Sequence, residues 1–510
     1  MQLVWILGDQ LLPNHPLLRP GAKDQFVGMI ESVTRANHLR YHQQKLTLLY
    51  AAMRHHAAYL KKAGHQVLYH SLSDDPKNTG YADTLAAWIQ KHKIREIHLL
   101  DPNEYDTLHS LPALSKKLGI PVINHRSPQF LVPKEEFSAW AAGKKHLLME
   151  SHYRRLRAKH GILMTREGKP EGGDWNLDDE NRKTYREFSK EKPTVPPLTN
   201  PVRDPLVIEV AQEVARLFPN HPGKAQGLWV PATRQGALEW LKVFIQQRLE
   251  KFGPWEDTMV EGQPVLFHSV LSPFLNLGLL TPMECIQAAE KAYRNGRAPL
   301  NSVEGFIRQI LGWREFIHGI YWLKMPEYRK VNFLEAKRPL PRWAYDGKTE
   351  MRCISEAIHG TIDRAYNHHI QRLMVLGNYF LLGGYEPNAV LRWYTEMYLD
   401  ASDWVMVPNV LGMILFADGG WFATKPYAAG AAYQEKMGNH CASCRFDPKT
   451  KDGPDACPFH SLYWNFFGTH AKTFQGNPRI GMMVKMWEKK SSMDQNKVRS
   501  VARAFLESQS

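Results

Sequence analysis

The sequence predicts an α/β unit joined to an all-α unit in one chain of 510 residues. Three observations carry this. Short apolar runs alternate with amphipathic helical stretches over the first 130 residues; a charged segment punctuated by proline and glycine follows; and from Pro205 to Ser510 the pattern is helical almost without interruption. Alternation of the first kind yields a Rossmann-like parallel sheet covered by helices. Residues 1–132 are therefore read as that sheet domain, 133–205 as an interdomain linker and 206–510 as a large helical domain.

Leu3 to Leu7, Phe26 to Ile30, Gln66 to Tyr69, Ile97 to Leu100 and Val122 to Ile123 read as strands. Between them, Tyr41 to Gly64 and Tyr81 to Lys93 read as helices, the first closed by Ala63-Gly64. The turn after the first strand is Gly8-Asp9-Gln10-Leu11, without the glycine spacing of a dinucleotide site. Open α/β sheets bind ligands at the carboxyl ends of their strands, which puts Gly8, Asp9, Gln10 and Leu11 on any such crevice. In the linker, Arg154-Arg155-Leu156-Arg157-Ala158-Lys159-His160 is dense in cations, and its arginines are candidates for phosphate contacts. Further on, Phe306, Ile307, Ile310, Leu311, Trp313, Phe316, Ile317, Ile320 and Tyr321 give one broad apolar stripe, the mark of a buried helix.

The formal charge of +14 makes nucleic acid the first partner to consider, and 15 Trp with 20 Tyr offer stacking surfaces for bases. No run of 18 apolar residues exists and the N-terminus turns polar too early for a signal peptide, so a cytoplasmic protein with no membrane contact is expected. Four of the five cysteines, Cys353, Cys441, Cys444 and Cys457, are grouped, leaving out Cys285. That grouping argues against a disulfide framework and for one metal site, either tetrahedral zinc or an iron-sulfur cluster. Spacing does not choose between them. Cys457-Pro458 tilts the reading toward iron-sulfur, and inert buried thiols are the remaining possibility.

Several motifs surround these cysteines: Asn367-His368-His369-Ile370-Gln371-Arg372-Leu373-Met374, Arg392-Trp393-Tyr394, Leu399-Asp400-Ala401-Ser402-Asp403-Trp404 with Asn409, and Phe416-Ala417-Asp418-Gly419-Gly420. With Ser269-Val270-Leu271-Ser272-Pro273 and Trp313-Arg314-Glu315-Phe316, they resemble the photolyase and cryptochrome superfamily, and within it the bacterial iron-sulfur branch of (6-4) photolyases. The resemblance covers nearly the full length and is strongest from Ser269 to Trp464.

The resemblance implies light-dependent repair of (6-4) photoproducts in UV-damaged DNA by a monomeric lyase. It implies FAD held by Ser269, Leu271, Ser272, Gln309 and Arg314, with Asp403 near the flavin ring nitrogens and Asn409 facing N5. The free amides of a first turn at Ser272-Pro273 suit the pyrophosphate. Trp393 and Tyr394 would re-reduce the flavin, with Tyr345 as the outer donor and the main departure from the family pattern. The four cysteines would carry a 4Fe-4S cluster, and the sheet domain a 6,7-dimethyl-8-ribityllumazine antenna lined by Gly8 to Leu11. His369, sharing a helical face with Leu373, Leu376 and Phe380, would move the proton that this repair requires, together with His368. Tyr427 and Tyr433 would stack the extruded lesion, and Lys425 and Arg445 would hold phosphates. A cryptochrome-like blue-light photoreceptor is the alternative, and a light-independent iron-sulfur protein that binds nucleic acid is the third reading.

Overall fold

The computed structural model describes residues 1–74, 80–198 and 203–509. Its N-terminal part is a parallel sheet of β1 (Gln2–Trp5), β2 (Gln25–Ile30), β3 (Gln66–His70), β4 (Glu96–Leu100) and β5 (Val122–His125), in the order β3-β2-β1-β4-β5. Val4 of β1 lies beside Val27 of β2 on one side and His98 of β4 on the other. Period-two alternation sends Leu3, Trp5, Ile97 and Leu99 to one face, while Val4, Val27 and Met29 join the larger core under the helix Gln43–Lys62. Strand order reverses between β1 and β4, so the ligand-binding crevice of such a sheet lies at their carboxyl ends.

The helix Pro205–Leu217, capped by Asp204, packs against Gln43–Lys62. Arg54 clamps the two, bonding Glu31 at 2.8 Å and Glu213 across the interface. The first helix after the linker is thus physically part of the sheet layer. Within 133–198 the chain forms three helices, Lys134–Ala141, Met149–His160 and Tyr185–Glu191. Their apolar positions are too sparse to announce them. Met149–His160 is anchored instead by Arg157, fully buried, which donates to the carbonyls of Ile162, Leu163 and Trp175.

The arginines of this helix are spent inside the fold. Arg154 pairs with Glu150 and Arg155 with Glu136, both at 2.7 Å, so the run expected to meet phosphates is largely committed to structure.

Beyond β5 the regular elements among the described residues are helices, joined by loops and a few isolated bridges. Leu300–Ile307 continues through a π-helical stretch, Arg308–Arg314, into Glu315–Lys324. Two more π-helical stretches occur at Gln371–Gly377 and Pro408–Ile414. All three face one cavity, as such stretches often do at functional sites.

Several histidines are buried as neutral rings away from that cavity. His152 is enclosed by Phe137, Trp140 and Phe316, and burial, then Arg155, lowers its pKa to about 3. Burial lowers that of His42 to about 4. The unfolded chain takes up these protons first, so stability is fully present above the ordinary histidine pKa and is lost as pH falls through it. Each such ring should cost on the order of 1 kcal/mol per pH unit below pH ~6.5. Thermal melting from pH 8 to pH 5 checks this, and a flat Tm would mean the native state protonates them freely.

Candidate active site

A cavity of about 910 Å³ opens in the helical part, at the large end of ligand pockets. Its walls include the loop and helix head 268–276, the three π-helical stretches, and residues from within 148–150, 176–182 and 252–257. A π turn closes hydrogen bonds over one residue more than an α turn, which re-aims the side chains that follow.

Ser269, Leu271, Ser272, Gln309, Arg314, Asn409 and His369 all line this cavity, with Tyr394, Tyr427 and Tyr433. The helix Ser272–Leu277 begins on the cavity wall with Pro273 in its first turn. Just before it, Val270 sits at φ +52°, a strained conformation for a β-branched residue. Ser272 Oγ donates to Asp400 at 2.5 Å, and Asp400 accepts from Arg372 at 2.8 Å. Burial acts to raise the Asp400 pKa, but Arg372 and Ser272 outweigh it and hold the carboxyl below its ordinary range. The Arg372 guanidinium lies 4.1 Å from the Tyr398 ring. Across the cavity Arg314 stacks on Phe130 at 4.0 Å, with its Nε and one Nη lacking a protein partner.

Asp403 lies elsewhere. Its carboxylate accepts from Tyr321 and Arg329, whereas Asp400, three residues earlier, stands on the cavity wall. Asn409 donates from Nδ2 to Val405 O at 2.7 Å, leaving its amide oxygen uncommitted.

His369 stands at the head of the helix that leads into Gln371–Gly377, with its ring open to the cavity. The surrounding protein and the charges of Arg372 and Arg182 lower its pKa below the ordinary range. His368 is buried behind it and stacks on His268 with centroids 4.7 Å apart and planes within 6°. Of the face read from the sequence, Leu373 lines the cavity, whereas Leu376 and Phe380 are buried elsewhere in the core. The π turn between them rotates the later residues away.

The (6-4) photolyase of Agrobacterium fabrum (strain C58 / ATCC 33970) is 41% identical to this chain over 511 residues, 99% of each. The chain belongs to the (6-4) photolyase family. The family described as deoxyribodipyrimidine photo-lyase-related protein matches residues 4–229. A bacterial class III photolyase from Agrobacterium tumefaciens, known from its crystal structure, matches at a TM-score of 0.55 and 17% identity, covering 99% of this chain and 89% of that one. It shows the photolyase-like fold, a five-stranded parallel sheet with a largely helical remainder. An uncharacterised protein of Acanthamoeba polyphaga mimivirus is 35% identical over 116 residues, 23% of this chain and 85% of its own.

In this member of the photolyase family, Tyr394 meets Trp393 at 5.0 Å between ring centroids, and Trp393 donates from Nε1 to Ala344 O at 2.8 Å. Tyr345, the next residue, is 38% exposed, with Arg40 5.4 Å from its ring.

At the sheet's crevice, Gln10 and Leu11 are buried and engaged: Gln10 donates to Asp101 O at 2.8 Å and Leu11 N to Leu277 O at 2.8 Å. A Cβ on Gly8 would meet the Met53 sulfur at 2.9 Å. Asp9 accepts from Asn103 and belongs to an electrostatically coupled group with Arg35, Tyr41, Tyr81, Glu104 and Lys45. Burial pulls the Lys45 pKa down to about 7 and pushes those of Tyr41 and Tyr81 up to about 12.

Cys353, Cys441, Cys444 and Cys457 come within electrostatic reach of one another. Burial, then the other thiols, raises the pKa of Cys353, and the same causes contribute at Cys441 and Cys457. Among the described residues no metal-binding side chains close tightly enough to hold a single ion. Cys285 is buried in the helix Pro282–Arg294, away from them. Arg445 pairs with Glu350, while Lys425 is exposed.

Sequence reasoning missed the acidic and basic rim of the cavity. Arg182, Asp178, Glu256, Asp257 and Arg308 line it, with Arg182 bonding Asp178 at 2.8 Å and Glu256 at 3.1 Å. Burial, then Asp257, raises the Glu256 pKa to about 7. Linker and helical domain each supply part of this network, so no local motif signals it.

Proposed function

We propose that this chain repairs (6-4) photoproducts in DNA by light-driven electron transfer, as a monomer with FAD in the 910 Å³ cavity. The observation that carries the reading is the convergence on that cavity of a helix head, a cation with unpartnered donors, and His369. The residues fit FAD. Arg314 has donors without a protein partner that suit anionic oxygens, whereas the first turn does not supply the free amides expected: Pro273 carries no N–H, and the Phe274 and Leu275 amides donate to Leu271 O. FAD, when bound and reduced, supplies the photoexcited electron.

The chain's own groups do the rest. Arg372 keeps Asp400 ionised, and Asp400 takes the Ser272 hydroxyl hydrogen, so Ser272 turns a lone pair outward. Asn409, whose amide nitrogen is committed to Val405 O, would have its amide oxygen left to accept from a bound flavin. His369 is neutral in the free cavity, and an anionic DNA strand beside it raises its proton affinity. The ring thus becomes a proton donor only when substrate is in place. Burial raises the pKa of Tyr427 and Tyr433, which therefore remain hydroxyl donors around the extruded bases.

The four cysteines suit a 4Fe-4S cluster, in which each thiolate binds a different iron. The same soft ligands would suit zinc, and the Cys457-Pro458 ending favours the cluster. The coupled group Asp9, Arg35, Tyr41, Lys45, Tyr81 and Glu104 suits a polar ribityllumazine antenna at the sheet's switch point.

Illumination with defined (6-4) and cyclobutane oligonucleotides, read by chromatography, tests the function. Repair of the (6-4) substrate in light and none in darkness is expected. Flavin photoreduction without repair would favour the photoreceptor.

A further inference from the structure

Of the cations the sequence directed to phosphates, Arg154, Arg155, Arg157 and Arg445 are engaged by protein partners, whereas Lys425 is not. Other cations without an acid partner follow along the chain. Among the described residues, no acid pairs with Lys425, Arg479, Lys485 or Lys489. Arg479 lines the cavity and is close enough to Tyr427 to influence its titration. Two residues later the helix Gly481–Glu488 begins.

That helix is anchored on one face and unoccupied on the other. Val484 and Trp487 are buried, and Trp487 packs so closely on Gly468 that a Cβ there would meet it at 2.4 Å. Tyr463 donates its hydroxyl to the Met483 sulfur at 2.9 Å. The outward stripe at i, i+3, i+4 and i+7 is Met482, Lys485, Met486 and Lys489. Met482 is 68% exposed and Met486 45% exposed. Glu488 falls on the flank of the stripe, so its outer edge presents only thioethers and ammonium groups.

We infer that this stripe docks duplex DNA beside the extruded lesion, with Met482 and Met486 against the gap in the base stack and Lys485 and Lys489 on flanking phosphates. The inference rests on the proposed repair reading. Three features favour DNA over other occupants. The stripe is continuous with the cavity mouth through Arg479; its unpaired cations complement a polyanion; and unbranched thioether side chains adapt to an irregular gap in the way apolar wedges do at kinked steps.

The test is fluorescence anisotropy over a salt series, using a lesion duplex, the same duplex undamaged, and the lesion in a single strand. The full-length protein is compared with Lys485→Gln/Lys489→Gln, Met482→Ser/Met486→Ser and Met482→Leu/Met486→Leu. The lysine variant should flatten the log-log salt slope on both duplexes by roughly two. The serine variant should weaken lesion-duplex binding about tenfold and leave the single strand unchanged, with leucine restoring affinity. Flavin photoreduction without DNA, unchanged in all variants, shows that the fold and cavity survive.

Slopes and affinities matching the wild type would overturn the inference, as would a stripe-dependent dimer or vesicle binding with DNA affinity intact. A wild-type protein that binds the lesion duplex no tighter than the undamaged one would instead defeat the repair reading. The lysine effect on the slope would then still report this surface.

Discussion

His369→Ala will reduce (6-4) repair at least about 100-fold while flavin photoreduction proceeds at the wild-type rate. The imidazole opens on the cavity, and the Trp393–Tyr394 pair that would feed the flavin is a separate set of contacts. His368→Ala is the informative companion. His368 is buried and stacks on His268, so its loss should act through packing and cost far less repair than loss of His369. Repair quantum yield and photoreduction rate, measured on both variants, check the pair. Equal repair by His369→Ala and wild type would remove the imidazole from the chemistry, and an equal collapse in both variants would make the effect structural.

Purified protein will contain about four irons, and serine at Cys353, Cys441, Cys444 or Cys457 will strip them. The loss should be severe. Apparent binding free energies of structural metal sites reach about 10–16 kcal/mol, comparable with the ~5–15 kcal/mol stability of a whole domain. A cluster on the four positions would tie together the head of Arg352–Arg364, the turn His440–Ser443 and the head of Pro458–Thr469. These variants should therefore be insoluble or cut by protease around 440–457. Cys285→Ser should keep its iron and stay soluble, because that thiol is an isolated core group. Stoichiometric zinc in place of iron would remove the cluster from the proposal.

Much of this protein was legible because its signals are local. Short apolar runs announced all five strands, and Ala63-Gly64 marked the end of the first long helix. The motif around Ser272 and Pro273 marked a helix head that does stand on the cavity wall. What depends on pairing between distant segments was not legible. Asp403 and Asp400 are equally polar in the sequence, and only Arg372 and Ser272, brought from two other helices, place Asp400 on the cavity wall. The linker helices were hidden because Met149–His160 is held by a buried arginine rather than by an apolar stripe.

By itself the sequence determined the parallel sheet, the helical remainder, the odd cysteine and the family. All of these are written in residue type and spacing. Which of two adjacent histidines opens on the cavity, which carboxylate is paired, and which cations remain unspent were decided by tertiary structure. The reason is physical: three π-helical turns break the α periodicity at the cavity wall, and long-range ion pairs consume charges that look free along the chain.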